Sequence, residues 1–188
     1  MVGVKGNRRT LYTKSVIKES LLELLQSKEI HEITVTEICK KADINRGTFY
    51  SHYNDAFELL QSMEDELFDK ILEYINETPI ENYKDQLFLK VLELIYINKD
   101  LCKVLFCKQK DSRIINRIIY LARKADIEYV VHQSNEFNDA HIDYLISHTV
   151  GGTFSIIQTW LEGDLTESPK ELMEIVNNIT MFTYKYFY

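Results

Sequence analysis

The segment TVTEICKKADINRGTFYSHY, residues 34–53, decides the fold of the first part of this chain. Thr34 and Glu37 have the spacing of a capping box, in which each side chain bonds the backbone amide of the other residue, so a helix begins here. Residues 43–44 form a short turn, and Asn45 is a good N-cap for a second helix of about eight residues. The segment therefore predicts two short helices joined by a tight turn.

A longer amphipathic helix is predicted before this pair, at about residues 13–28, with a fourth helix after it. Two short helices with a third packed across them form the arrangement that lays a recognition helix into the major groove of DNA. The alternative is an ordinary helical hairpin with a solvated polar face. The outward side of the second short helix favours DNA because it carries one cation, several hydroxyls and no carboxylate. The predicted DNA-binding residues of this region are Thr36, Arg46, Gly47, Thr48, Tyr50, Ser51 and His52.

Each predicted contact has a chemical reason. Arg46 can donate two parallel hydrogen bonds to N7 and O6 of guanine, and Gly47 allows the backbone to approach closely. Thr48, Tyr50 and His52 can donate to phosphates. The backbone amides at the start of the first short helix, near Thr36, can add another phosphate contact.

Charge is distributed unevenly along the chain. Residues 1–54 hold nine Lys or Arg against six Asp or Glu, whereas residues 55–188 hold 13 against 23. The basic part begins with Lys5, Arg8 and Arg9, a short flexible arm that can reach along the DNA backbone or into a minor groove. We therefore expect two parts with different functions, a DNA-binding domain over residues 1–54 and a second domain over residues 55–188.

The remaining composition indicates an all-α protein of about nine helices. The 188 residues include two prolines and six glycines, and apolar residues recur at helical spacing almost throughout. Three cysteines without CxxC spacing predict reduced thiols. We find no signal peptide, membrane-length apolar run, catalytic motif or metal-ligand spacing. We therefore expect a cytoplasmic protein that is not an enzyme, has no cofactor or metal, and has no membrane partner.

Two consecutive glycines, Gly151 and Gly152, lie in the middle of a long predicted helix. Each costs about 1 kcal/mol relative to alanine, so another interaction should compensate. Close approach of two helices across a dimer interface would do so, and Ser147, Ser155 and Thr159 are small neighbours on the same helix. A pocket or a break in the helix at this point is the alternative. These five residues are the predicted dimerisation face.

Residues 13–60, above all TVTEICKKADINRGTFYSHYNDAFELL, resemble the N-terminal domain of the TetR/AcrR family of transcriptional regulators. The segments INKDLCKVLF and GTFSIIQTWLEGDLTESPKEL resemble, to a lesser degree, a subgroup that includes regulators of dihydroxyacetone kinase genes. The family's usual DNA-contacting positions correspond here to Thr36, Arg46, Gly47, Thr48, Tyr50 and His52.

This resemblance implies a homodimer that binds a palindromic operator in double-stranded DNA and pairs through its last two helices. It also implies repression that is relieved by an effector bound in the C-terminal domain. The effector is a small molecule or, as the alternative, a partner protein, and neither its identity nor its pocket follows from the sequence.

One position departs from the family pattern. The residue after the cap of the fourth helix is commonly a lysine that contacts phosphate, and here it is Ala56. We therefore expect DNA affinity to depend more on the basic residues near the N-terminus.

Overall fold

The computed structural model describes residues 3–78, 83–108, 112–133 and 139–187, with side chains in 8–78, 85–108, 112–124 and 142–183. These residues form nine α-helices and no strand, which confirms the predicted all-α class. The helices are α1 (Gly3–Leu25), α2 (Val35–Lys41), α3 (Arg46–Tyr50), α4 (Ala56–Glu77), α5 (Tyr83–Ile97), α6 (Lys99–Lys103), α7 (Arg113–Gln133), α8 (Asp139–Glu162) and α9 (Pro169–Phe187). A 3₁₀ turn at Ile30–Glu32 and a π-helical turn at Val104–Lys108 complete the described elements.

Contacts divide the chain into two compact units, one up to Asp69 and one from Lys70. The division falls inside α4, whereas the boundary expected at residue 54 falls just before α4 begins. In the N-terminal unit, α2 packs against both α1 and α3. The core of this unit includes the fully buried side chains of Ile17, Leu21, Ile38, Phe49 and Leu59.

The start of α1 differs from the prediction. We expected a helix from about residue 13 with a flexible basic arm before it, but α1 already begins at Gly3. No proline interrupts this stretch, and a helix that is anchored by packing at one end extends by one backbone hydrogen bond per added residue. The Thr13 hydroxyl also donates to the carbonyl oxygen of Arg9 at 2.9 Å. Arg8 and Arg9 therefore lie exposed on a helix, while the side chain of Lys5 is outside the described residues.

The C-terminal unit is built around α8, which packs against α6, α7, α9 and the π-helical turn. On another side of α9, α5 forms a second extensive helix pair, and Asn177 Nδ2 donates to Asp85 Oδ1 across it at 3.1 Å. Fully buried side chains of this unit are Leu92, Leu105, Ile114, Leu145, Ile146 and Leu161. Within the described ranges, no helix combines the length and the apolar character needed to span a membrane.

The turn between α8 and α9 shows why Gly163 is needed. Helix α8 ends just before Gly163, but the left-handed backbone belongs to Asp164 and Leu165, each with φ of 58°. A Cβ at Gly163 would lie 3.2 Å from the carbonyl oxygen of Thr159, so this glycine provides space instead of a left-handed φ. Left-handed backbone costs roughly 1–2 kcal/mol per residue. Burial of the Leu165 side chain offsets part of this cost, while the exposed Asp164 carboxylate accepts a 2.6 Å hydrogen bond from Lys103.

A second capping box, formed by Ser168 and Glu171, fixes the start of α9. The Glu171 amide donates to Ser168 Oγ at 3.3 Å, and the Ser168 amide donates to the Glu171 carboxylate at 2.8 Å. Because both partners lie within four residues, this helix start depends only on local sequence.

Candidate nucleic-acid interface

The start of α2 is fixed by side chains. The Glu37 amide donates to Thr34 Oγ1 at 3.3 Å, and the Thr34 amide donates to the Glu37 carboxylate at 2.9 Å, as the capping-box pattern predicted. Lys28 Nζ, which the sequence did not link to this site, donates to the same carboxylate at 2.5 Å. The hydrogen bond from Lys28, followed by those from Thr34, lowers the pKa of Glu37 from 4.5 to about 2.

The start of α3 is fixed in the same way. Asn45 Oδ1 accepts hydrogen bonds from the Thr48 amide at 2.7 Å and from the Thr48 hydroxyl at 3.1 Å. The helix is shorter than expected, because we predicted an end near Tyr53 and α3 ends at Tyr50. The amides of His52 and Tyr53 both donate to the carbonyl oxygen of Phe49, at 2.9 and 3.0 Å, and these bonds close the turn after α3.

Two aromatic side chains of this segment anchor it to the core. Phe49 is fully buried and Tyr53 is 4% exposed. The ring of Tyr50 meets the Phe49 ring edge-on, with centroids 5.8 Å apart, and Tyr50 is 55% exposed. The buried rings therefore hold α3 in place and leave the other side of α3 exposed.

Most of the predicted contact residues lie on this exposed side. Thr48 and His52 are half-buried, and the Thr48 hydroxyl is engaged by Asn45. The exposed members are Thr36, Arg46, Gly47, Tyr50 and Ser51. The segment INRGTFYSHYN, residues 44–54, contains one arginine and no carboxylate. This surface thus offers one cation and several neutral donors, the groups that bind phosphate and base edges.

A contact that the sequence did not predict joins α2 to α3. Arg46 Nη2 donates to Thr36 Oγ1 at 2.7 Å, although the two residues are ten positions apart. The sequence placed both residues at the interface but contained no local signal for their contact, because it depends on how α2 packs on α3.

Packing explains why Ala56, and not a lysine, follows the cap of α4. Asp55 Oδ1 accepts from the Glu58 amide at 2.8 Å and so caps α4. Ala56, at the first position of α4, is 4% exposed. A lysine at this position would have to carry its side chain out of the core before it could reach a phosphate.

A capped α2, a tight turn and an exposed, carboxylate-free α3, with α1 packed on α2, define a helix-turn-helix protein. Residues 82–181, more than half of the chain, match the family model of the transcriptional regulator C-terminal region of TetR type. The chain belongs to the TetR family of transcriptional regulators. The family resemblance of the N-terminal sequence is thereby confirmed.

Two curated relatives are similar over part of the chain. The uncharacterised helix-turn-helix regulator YxbF of Bacillus subtilis (strain 168) is 33% identical over 70 residues, covering 37% of this chain and 18% of YxbF. The dhaKLM operon transcriptional activator DhaS of Lactococcus lactis subsp. lactis (strain IL1403) is 34% identical over 53 residues, covering 28% of each protein. The matches thus span less than a third of either relative.

Solved structures with the same fold cover nearly the whole chain. DhaS, the dihydroxyacetone kinase operon activator, has a TM-score of 0.61 at 19% identity and covers 92% of this chain and 96% of its own. A TetR regulator from Streptococcus agalactiae 2603V has a TM-score of 0.64 at 18% identity, covering 93% and 97%. The fatty acid degradation regulator FadR from Bacillus halodurans has a TM-score of 0.66 at 16% identity, covering 89% and 94%. These likenesses concern the fold.

The Glu37→Gln variant should change the acid sensitivity of the N-terminal unit. Because the folded pKa of Glu37 is about 2 and its ordinary value is 4.5, its stabilisation is complete above pH 4.5 and is lost as the pH falls towards 2. The variant should have a lower Tm than the unmodified protein at neutral pH, and the difference should shrink on acidification. Thermal unfolding at several pH values measures this. Glu174→Gln, at an exposed position of α9, is the control that should leave the pH dependence unchanged.

Proposed function

We propose that this regulator is a homodimer that binds a palindromic operator in double-stranded DNA, with α3 in the major groove. The observation that carries the proposal is the exposed face of α3, which holds Arg46 and several hydroxyls without a carboxylate. The caps at Thr34 and Asn45 support it further, because they hold this face in a defined position. Family membership is consistent with DNA binding and dimerisation.

In this proposal each exposed group of the interface has a role. Arg46 reads guanine, and Gly47 lets the backbone of α3 approach the DNA. Tyr50 and His52 donate to phosphates. The hydroxyls of Thr48 and Ser51 donate to Asn45 Oδ1 and to the Thr48 carbonyl oxygen, and would exchange these bonds for phosphate contacts on binding DNA. The division of the chain into a DNA-binding domain over residues 1–54 and an effector and dimerisation domain over residues 55–188 is part of the same proposal.

The Arg46→Ala variant should bind operator DNA at least about 30-fold more weakly, because the proposed dimer loses two bidentate arginine–guanine contacts of about 1–3 kcal/mol each. Fluorescence anisotropy with the DNA that flanks the regulator's own gene provides the measurement. Lys170→Ala, an exposed cation of the C-terminal unit, is the matched control and should bind normally. Absence of binding by the unmodified protein to any palindrome there at low salt would refute the proposed function.

The basic residues at the start of α1 are proposed to compensate for Ala56. Replacing both Arg8 and Arg9 by alanine removes four arginines from the proposed dimer. It should lower operator affinity and reduce the slope of log K against log salt by up to about 4, since each phosphate contact contributes about 0.9. Titrations at four or more salt concentrations measure the slope. An unchanged slope would show that these arginines do not contact DNA. The control variants are Lys14→Ala and Lys18→Ala, further along α1, and they should leave the salt slope unchanged.

A second copy of the chain is proposed to cover the exposed faces of α8 and α9. Helix α8 is continuous through Gly151 and Gly152, which favours an interface over a helix break at this point, and a pocket there is the other alternative. Apart from its chain neighbours and the adjacent backbone of α8, a Cβ atom at Gly151 or Gly152 would have no atom of the described residues within 4 Å. Packing within the described part of one protomer therefore does not require glycine at these positions. Ser147, Ser155 and Thr159 are exposed on the same helix, which supports close approach by another helix.

The exposed stripe of α9 supports the same partner. Ile175, Ile179 and Phe182 are 42%, 48% and 65% exposed and recur at helical spacing, and Tyr144 of α8 is 74% exposed. An apolar stripe of this kind on a surface helix is typical of a helix–helix interface. Pairing α8 and α9 with their copies would bury it in a four-helix bundle.

The variants Gly151→Leu and Ile179→Asp should weaken dimerisation, because leucine blocks close helix approach and a buried carboxylate is costly without a partner. Sedimentation velocity over a dilution series measures the dimer fraction. Lys170→Asp introduces the same carboxylate at an exposed position on another side of α9 and should leave the dimer intact. Variants that stay dimeric at nanomolar concentration would contradict the proposed interface.

The regulatory response is proposed to pass through α4, since this helix begins in one compact unit and ends in the other. An effector in the C-terminal unit would move α4 and change the spacing of the two recognition helices in the dimer, which must match half-sites about one helical turn or a multiple apart. The proposed outcome is repression relieved by a small molecule, and control by a partner protein is the alternative. The related DhaS is named an activator. A reporter assay on the operator promoter, with and without the gene for this regulator, distinguishes activation from repression.

The proposed site of action is the cytoplasm. Cys39, Cys102 and Cys107 are all free thiols, which supports a reducing compartment. In the described side chains, no cluster of three or more metal-ligating groups is present.

A further inference from the structure

We infer that Thr36 is a positioning residue that orients Arg46 and so sets how strictly the regulator discriminates between operator sequences. The inference rests on the proposed function and on one contact, the 2.7 Å hydrogen bond from Arg46 Nη2 to Thr36 Oγ1. Both residues are exposed, so Arg46 would otherwise sample many rotamers in water. The hydroxyl of a neighbouring helix instead holds the end of this arginine in one place.

Both ends of this hydrogen bond are rigidly supported. Thr36 lies in the first turn of α2, whose start is fixed by the bonds among Thr34, Glu37 and Lys28. Arg46 is the first residue of α3, directly after the Asn45 cap. The guanidinium is therefore held at its base by α3 and at its tip by α2, and its position depends on the packing of two capped helices.

The hydrogen bond leaves Arg46 able to bind DNA. A guanidinium has five N–H donors in a fixed fork, and the contact to Thr36 uses one of them. One edge with two parallel donors remains for N7 and O6 of guanine, so Thr36 selects which edge of Arg46 faces the base. The Thr36 hydroxyl accepts this bond with its oxygen and keeps its own hydrogen as a donor.

A fixed arginine should discriminate better than a mobile one. A mobile guanidinium that meets the wrong base can turn to a nearby phosphate and recover most of its interaction. A guanidinium held by Thr36 cannot turn as freely, so a mismatch leaves it poorly paired. Thr36 would then affect the ratio of specific to non-specific affinity, whereas a direct phosphate contact by Thr36 would affect all sequences alike.

The test compares Thr36→Val, which keeps the branched shape and removes the acceptor, with Thr36→Ser, which keeps the hydroxyl. Binding is measured on the operator and on a duplex of equal length with the guanines of both half-sites replaced. We define the discrimination ratio as the affinity for the operator divided by the affinity for the guanine-replaced duplex. We expect Thr36→Val to reduce this ratio by about fivefold or more, and Thr36→Ser to restore it. An equal loss on both duplexes, or a serine variant as defective as the valine variant, overturns the inference.

A double-mutant cycle makes the test independent of other roles of Thr36. On an Arg46→Ala background, Thr36→Val should cause no further loss of discrimination, because its effect passes through the arginine. A full additional loss would overturn the inference. Equal Tm and helical circular dichroism of the variants establish that they fold alike. Operator binding by the unmodified protein, measured in the same series, tests the proposed function separately.

Discussion

The N-terminal unit depends on side chains that satisfy the first backbone amides of two very short helices. A helix leaves its first four amides without an internal partner, and α3 has only five residues. Asn45 accepts from the Thr48 amide, and Thr34 with Glu37 does the same for α2. Both helices need these bonds, because isolated helices of this length are unstable in water.

The caps determine what surface the protein can present. Because Phe49 is fully buried on one side of α3, the opposite side is exposed, and this side carries an arginine and hydroxyls. The affinity of such a surface for DNA does not require a basic protein. The acidic excess over residues 55–188 is compatible with it and would discourage indiscriminate binding to nucleic acid.

The C-terminal unit combines a well-defined core with a face that its own chain leaves open. Leu165, in the turn after α8, is buried, and α9 packs against α8. The exposed glycines of α8 and the apolar stripe of α9 then belong to two neighbouring helices. The proposed dimer through both helices would account for the glycines within α8 and for the large apolar side chains that are exposed on α9.

The sequence by itself determined the all-α class, the helix-turn-helix segment, and the capped starts of α2, α3, α4 and α9. These features depend on residues within four positions of one another, so short patterns specify them. Tertiary structure decided the start of α1, the early end of α3, the left-handed residues after Gly163, and the contacts of Lys28 with Glu37 and of Arg46 with Thr36. Each of these depends on how separate segments pack, and no local pattern specifies such packing.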